Sequence, residues 1–177
     1  MDQTYRIFTD GSAIGNPGPG GWGVVVIQGK ERREMSGAYP WTTIAEMELV
    51  AAVQALRSVE GRARIELYSD SEYLIYGMRA FVFHWQRHGW RNRRGNQLQH
   101  RELWAELIAL NANLHIRWTW IKGHNGHRDQ TRRCVGLSGR PGFLVAGTRR
   151  SLIPAKNSER SRRRNTDGID RGNKFAF

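Results

Sequence analysis

Two apolar runs sixty positions apart end alike: RIFTDGS carries Asp10 and IELYSDSE carries Asp70, each behind a hydroxyl residue and ahead of small polar ones. Both runs read as β-strands. If they lie parallel and side by side, the two carboxylates emerge at one carboxyl-terminal sheet edge, where open α/β sheets hold their ligands. Taken singly, an aspartate after a strand is most often a turn residue or a helix cap. A matched pair narrows the choice of fold. Between the two, Thr43 and Glu46 form a capping box, and Ala45, Leu49, Ala52, Val53, Leu56 and Val59 recur at helical spacing, which predicts a helix from about 44 to 58. On that helix Glu48 lies about 100° from Leu49, at the border of the apolar stripe, while Glu46 faces the other way and caps.

The remaining pattern fills in a sheet. YRIF, GWGVVVIQG and REMSGAY read as three strands, the last two a hairpin around Gly29-Lys30. SEYLIYGMRAF and RELWAELIALNA read as helices, and HIRWTWIK as a final strand. The order βββαβααβ predicts an α/β chain with helices packed on a mixed sheet. Three carboxylates converging near a core, Asp10, Glu48 and Asp70, cannot all stay ionised unless a positive charge joins them. An all-oxygen ligand set favours Mg²⁺ or Mn²⁺ over zinc and points to phosphodiester chemistry. A zinc site from His124, His127 and Cys134 is an alternative that lacks an obvious fourth ligand.

At 177 residues the chain predicts one domain. The start MDQTYRIFTDGS has neither the basic flank nor the apolar run of a signal peptide, and no stretch of about 18 apolar residues occurs. Cys134 is the only cysteine, which fits a reducing compartment, so the expectation is a soluble cytoplasmic protein. The net charge of +12 suggests a polyanionic partner, but it is unevenly placed. Residues 1–130 hold 16 Lys/Arg against 13 Asp/Glu, whereas residues 131–177 hold 12 against 3. In the front part, Arg79, Arg87, Arg91, Arg93, Arg94 and Arg101 occupy a segment with no acid between Glu72 and Glu102. That is the local basic patch.

The motifs FTDGSAIGNPGPGGWG, AEMELVAA, YSDSEYL, HWQRHGWRNRRG, ELW and WTWIKGHNGH, in this order, resemble type 1 ribonuclease H of the bacterial kind over about residues 4–130. The resemblance implies the ribonuclease H fold, a five-stranded mixed sheet flanked by helices, and endonucleolytic cleavage of the RNA strand of RNA–DNA hybrids with 5′-phosphate and 3′-hydroxyl products. It implies Asp10, Glu48 and Asp70 as metal ligands and His124 as an assistant in proton transfer or product release. Gly11 and Asn16 match contacts to the RNA, and Trp85, Trp90, Arg91, Arg93 and Arg94 match a basic protrusion that grips the hybrid. Trp104, Trp118 and Trp120 are expected in the core. A monomer is the family expectation.

The chain also departs from the family. Ile44-Ala45 stand where asparagines commonly touch substrate, and Glu72 stands at a substrate-binding position where a glutamine is usual. After GHNGH the family expects a final helix with a fourth metal-binding aspartate in a D-x-L-A context, but the chain reads TRRCVGLSG and puts Cys134 there. That leaves the final helix missing or altered. Residues 131–177 lack a sustained period of either kind and read as a basic, disordered tail, either a solvated extension or a nucleic-acid arm. A frame change near residue 131 is a further reading: codons can be chosen for Thr131–Pro141 whose next frame encodes Asp-Ala-Leu-Ala. Two functions follow, a metal-dependent hybrid nuclease or a hybrid-binding module that lost turnover with its fourth carboxylate.

Overall fold

The computed structural model describes residues 3–59, 61 and 63–123. His124, His127, Cys134 and the reading of 131–177 as an altered helix, tail or frame change lie outside the described residues. Three long strands come first: β1 (Gln3–Ala13), β2 (Gly18–Gln28) and β3 (Glu31–Thr42). The β2–β3 hairpin turns at Gly29 and Lys30 as expected, and Gly29 takes the positive φ of 57° that the tight turn requires. Helix α1 (Ile44–Arg57) follows, then β4 (Ala63–Ser69).

The expected helix 71–81 is longer and interrupted. It runs as α2 (Glu72–Tyr76), a π-helical segment (Gly77–Phe81) and α3 (Val82–Arg87). A side chain at Gly77 would land on the Trp104 ring, so the chain passes that indole at backbone distance. Helix α4 (Arg101–Ala112) and β5 (His115–Trp120) complete the described elements.

The sheet order is β3-β2-β1-β4-β5. β1, β2 and β3 pair antiparallel, and β1–β4 and β4–β5 pair parallel. Ile7 lies opposite Leu67 and Phe8 opposite Tyr68, so Asp10 and Asp70, each two residues further on, leave the sheet at the same level. The expected five-stranded mixed sheet with helices is present.

The core sits between the sheet and the helices, where Ile7, Val24, Leu49, Ala52, Leu56, Ile65, Leu67, Leu74, Trp104 and Leu107 are buried. Each fully buried Leu or Ile contributes about 1.5–3 kcal/mol relative to an exposed one. A smaller cluster on Phe8 and Val25 forms with Ile27, Tyr68 and Ile121. Trp104 and Trp118 are core residues as expected, and their indole N–H groups donate to the Tyr73 hydroxyl (3.1 Å) and to Asn111 Oδ1 (3.1 Å). Trp120 is not in the core: it is 38% exposed. Strand alternation sets it on the face of Ile116 and Trp118, but it stands at the end of β5, beyond that buried stretch.

Candidate metal centre and nucleic-acid interface

The site begins with the fit of α1 against β1. Thr43 caps the helix by accepting from Glu46 N (3.1 Å), and the Glu46 carboxylate accepts from the Thr42 hydroxyl (2.9 Å). Glu46 is thereby spent on the helix start, as its position predicts. One turn is enough to bring Glu48 to the sheet, because Gly11 has no side chain: a Cβ there would collide with the backbone of Met47 and Glu48. Glu48 arrives next to Asp10 in β1, and the end of β4 supplies Asp70.

One oxygen from each of Asp10, Glu48 and Asp70 lies within 4.8 Å of the others. Asp10 and Glu48 are buried and Asp70 half-buried. Burial is the largest cause holding the Glu48 carboxyl well above its ordinary 4.5, followed by the charges of Asp10 and Asp70; hydrogen bonds from the Gly11 backbone and the Ser69 side chain pull it back down. Glu48 Oε2 is sealed from solvent and has no hydrogen-bond partner among the described residues. A buried oxygen without a donor is costly, and three mutually repelling carboxylates make it costlier. A hard cation answers both, so the donor set fits Mg²⁺ or Mn²⁺.

Asp70 is held from the neighbouring strand. Ile121 N donates to Ser69 O (3.0 Å) and the Trp120 indole N–H donates to Asp70 O (3.2 Å). Gly123 lies against the Asp70 carboxylate. These contacts were not legible in the sequence, where Trp120 reads as a core residue. Glu72 opens α2 behind the Ser71 cap and is not one of the three gathered carboxylates.

Around this centre, Asn16 is exposed, and its Oδ1 accepts from Ile44 N (3.1 Å), which leaves its amide NH₂ as the group it can offer outward. Ile44 is 43% exposed. The basic segment forms a turn stapled by Asn92, whose Oδ1 accepts from Arg94 N (3.0 Å) and Asn96 N (3.0 Å), with Arg91 donating to Gly95 O (2.7 Å). Arg91, Arg93 and Arg94 are exposed.

The tryptophans of this segment are buried. Trp85 is 3% and Trp90 9% exposed. Trp85 packs edge-on to Trp104 (5.3 Å between centroids) and stacks on Phe81 (5.8 Å), so its faces are committed to the core. Arg87, Arg91, Arg93 and Arg94 lie on the exposed surface of the segment, together with Phe83, His84 and His88. A cavity of about 750 Å³ opens at the other end of the sheet, lined by residues including Thr4, Arg64, Glu66, His115 and Arg117 at the starts of β1, β4 and β5. It is separate from the carboxylates.

Comparison with known proteins agrees with this geometry. The RNase H family model matches residues 2–135. Ribonuclease H of Erythrobacter litoralis (strain HTCC2594) is 43% identical over 130 residues, covering 73% of this chain and 90% of that protein. Ribonuclease H of Moorella thermoacetica is 40% identical over 154 residues, covering 86% of this chain and 99% of that protein. Among solved structures, LC9-RNase H1, a type 1 RNase H with the type 2 active-site motif, superposes with a TM-score of 0.69 at 28% identity, covering 78% of this chain and 71% of that one. LC11-RNase H1 in complex with an RNA/DNA hybrid superposes with a TM-score of 0.55 at 24% identity, covering 76% and 93%, and speaks for the fold alone. A match that spans both aspartate-bearing strands, the helix of Glu48 and the whole described sheet means that the chain belongs to the RNase H family.

Proposed function

We propose that the chain is an endonuclease that hydrolyses the RNA strand of RNA–DNA hybrids with a divalent cation, leaving 5′-phosphate and 3′-hydroxyl ends. The observation that carries the reading is the gathering of Asp10, Glu48 and Asp70 within 4.8 Å at one sheet edge, with Glu48 buried and short of a donor. Asp10, Glu48 and Asp70 hold the cation, Mg²⁺ or Mn²⁺; when bound it supplies the Lewis acidity that lowers the pKa of water and neutralises charge on the scissile phosphate. The protein's own groups do the rest. The β1–α1 contact at Gly11 and the Ser69 hydrogen bond fix the Glu48 carboxyl, which can keep or give up a proton as the local charge changes. Asn16 and the Gly11 backbone face the RNA strand, whose 2′-hydroxyls distinguish it from DNA.

Arg91, Arg93 and Arg94 grip phosphates, and phosphate contacts set affinity and register without reading sequence. Trp85 and Trp90 belong to the same gripping protrusion, and being buried they serve substrate binding by packing the base from which the arginines project. Glu72, in place of the usual glutamine, keeps a substrate-side role at the start of α2. His124 assists proton transfer or product release, and residues 131–177 form a basic tail beyond the catalytic domain. A lone cysteine fits work in the cytoplasm, and a monomer is the assembly proposed. No helix among the described residues is long and apolar enough to cross a membrane.

A second reading rests on Cys134, which stands where the family places its fourth carboxylate. On that reading the chain binds hybrids but turns them over slowly. Incubating a labelled hybrid with the full chain in Mg²⁺, Mn²⁺ or EDTA separates the two. Cation-dependent cutting of the RNA strand supports the nuclease, and binding without cutting supports the second reading.

A further inference from the structure

We infer that Trp120 and Gly123, at the end of β5, are positioning residues for Asp70 and set the affinity of the three-carboxylate site for divalent cations. The inference rests on the reading of Asp10, Glu48 and Asp70 as cation ligands. Asp70 lies one residue past the end of β4, where the parallel ladder to β5 stops with Ser69 opposite Trp120. A carbonyl at a strand end loses its ladder partner and needs another donor. The chain provides a main-chain donor for Ser69 O, from Ile121 N, and a side-chain donor for Asp70 O, from the Trp120 indole. The indole N–H is a donor only, on a rigid ring with two side-chain torsions, so it fixes a carbonyl at little entropic cost.

Trp120 is 38% exposed, against 0% for Trp104 and 8% for Trp118, so filling the core does not account for its place. Its polar contact does. Gly123 adds a second contact, to the carboxylate. A Cβ there would lie 2.5 Å from Asp70 Oδ2 and 3.4 Å from Asp70 Cγ. Its backbone is outside the positive-φ region, so the missing side chain answers a need for space and not for conformation. One residue tethers the Asp70 main chain and the other walls its carboxylate. Groups that orient a ligand from behind it typically change metal affinity by about 10- to 100-fold when removed.

The test uses the full chain, free of nucleic acid. Mn²⁺ binding is measured by electron paramagnetic resonance for the wild type, Trp120→Phe, Gly123→Ala and Asp70→Asn, and hybrid binding and the melting temperature are measured in EDTA. Trp120→Phe keeps the ring and removes the donor; Gly123→Ala adds only a methyl group. Both are expected to weaken Mn²⁺ binding roughly tenfold, with hybrid affinity in EDTA unchanged. Should Gly123→Ala fail to fold, Trp120→Phe alone decides. Trp120→Phe binding Mn²⁺ as tightly as the wild type, while Asp70→Asn binds it weakly, overturns the positioning role and leaves the cation site standing. Equal Mn²⁺ binding by the wild type and Asp70→Asn overturns the cation site, and the positioning role with it.

Discussion

Glu48 concentrates the physics of the site in one side chain. Burial and the charges of Asp10 and Asp70 raise its pKa, so the cation-free native state binds the Glu48 proton more tightly than the unfolded chain does. Stability from this group is therefore greatest below the ordinary value of 4.5 and is lost as pH rises from there through the raised native value. Glu48→Gln removes the titration while keeping the shape. In EDTA at neutral pH it is expected to melt above the wild type, the two curves converging as pH falls toward 4.5. Added Mg²⁺ or Mn²⁺ reverses the order, because only the wild type keeps all three ligands. Calorimetric melting across pH, with and without cation, checks both statements; a Glu48→Gln variant less stable than the wild type in EDTA at every pH contradicts the strain assigned to Glu48.

At the scale of elements, the helix that delivers Glu48 depends on its cap. Thr43→Ala removes the acceptor for Glu46 N and is expected to cost about 1 kcal/mol of stability, read by denaturant titration. Local chemistry of this kind was legible: the capping box placed the start of α1, and the repeated strand-Ser/Thr-Asp pattern foretold the level exit of Asp10 and Asp70. The indoles were not. Trp85 and Trp90 match a hybrid-gripping protrusion in the sequence, which does not show how deeply they are buried; Trp85 meets Trp104 of α4 as well as Phe81 one helical turn back. Trp120 failed the other way, because alternation assigns a face but not whether anything covers the strand end. The exposed arginine turn carries its own test. Replacing Arg91, Arg93 and Arg94 together with Ala is expected to weaken hybrid binding and to reduce the slope of log affinity against log salt by up to roughly three, one contact each. An unchanged slope returns them to a solvated face.

For the whole molecule, the proposed nuclease needs its carboxylate edge, its charged turn and divalent metal together. A ligand that binds only the native state stabilises it by about 2.7 kcal/mol at a hundredfold excess over its Kd. Saturating Mg²⁺ is therefore expected to raise the melting temperature of the wild type and to leave Asp70→Asn nearly unmoved. On the reading that Cys134 stands in place of a fourth carboxylate, Cys134→Asp is expected to raise cation-dependent cleavage, measured against the unaltered chain. The most direct measurement takes an end-labelled RNA–DNA hybrid and compares the wild type with Asp10→Asn in Mg²⁺, Mn²⁺ and EDTA, with binding followed in EDTA. The expected result is internal cutting of the RNA strand by the wild type in cation alone, an intact DNA strand, and an Asp10→Asn variant that binds the hybrid but does not cut it. A wild type that binds and never cuts in either cation, or an Asp10→Asn variant that cuts as fast as the wild type, would contradict it.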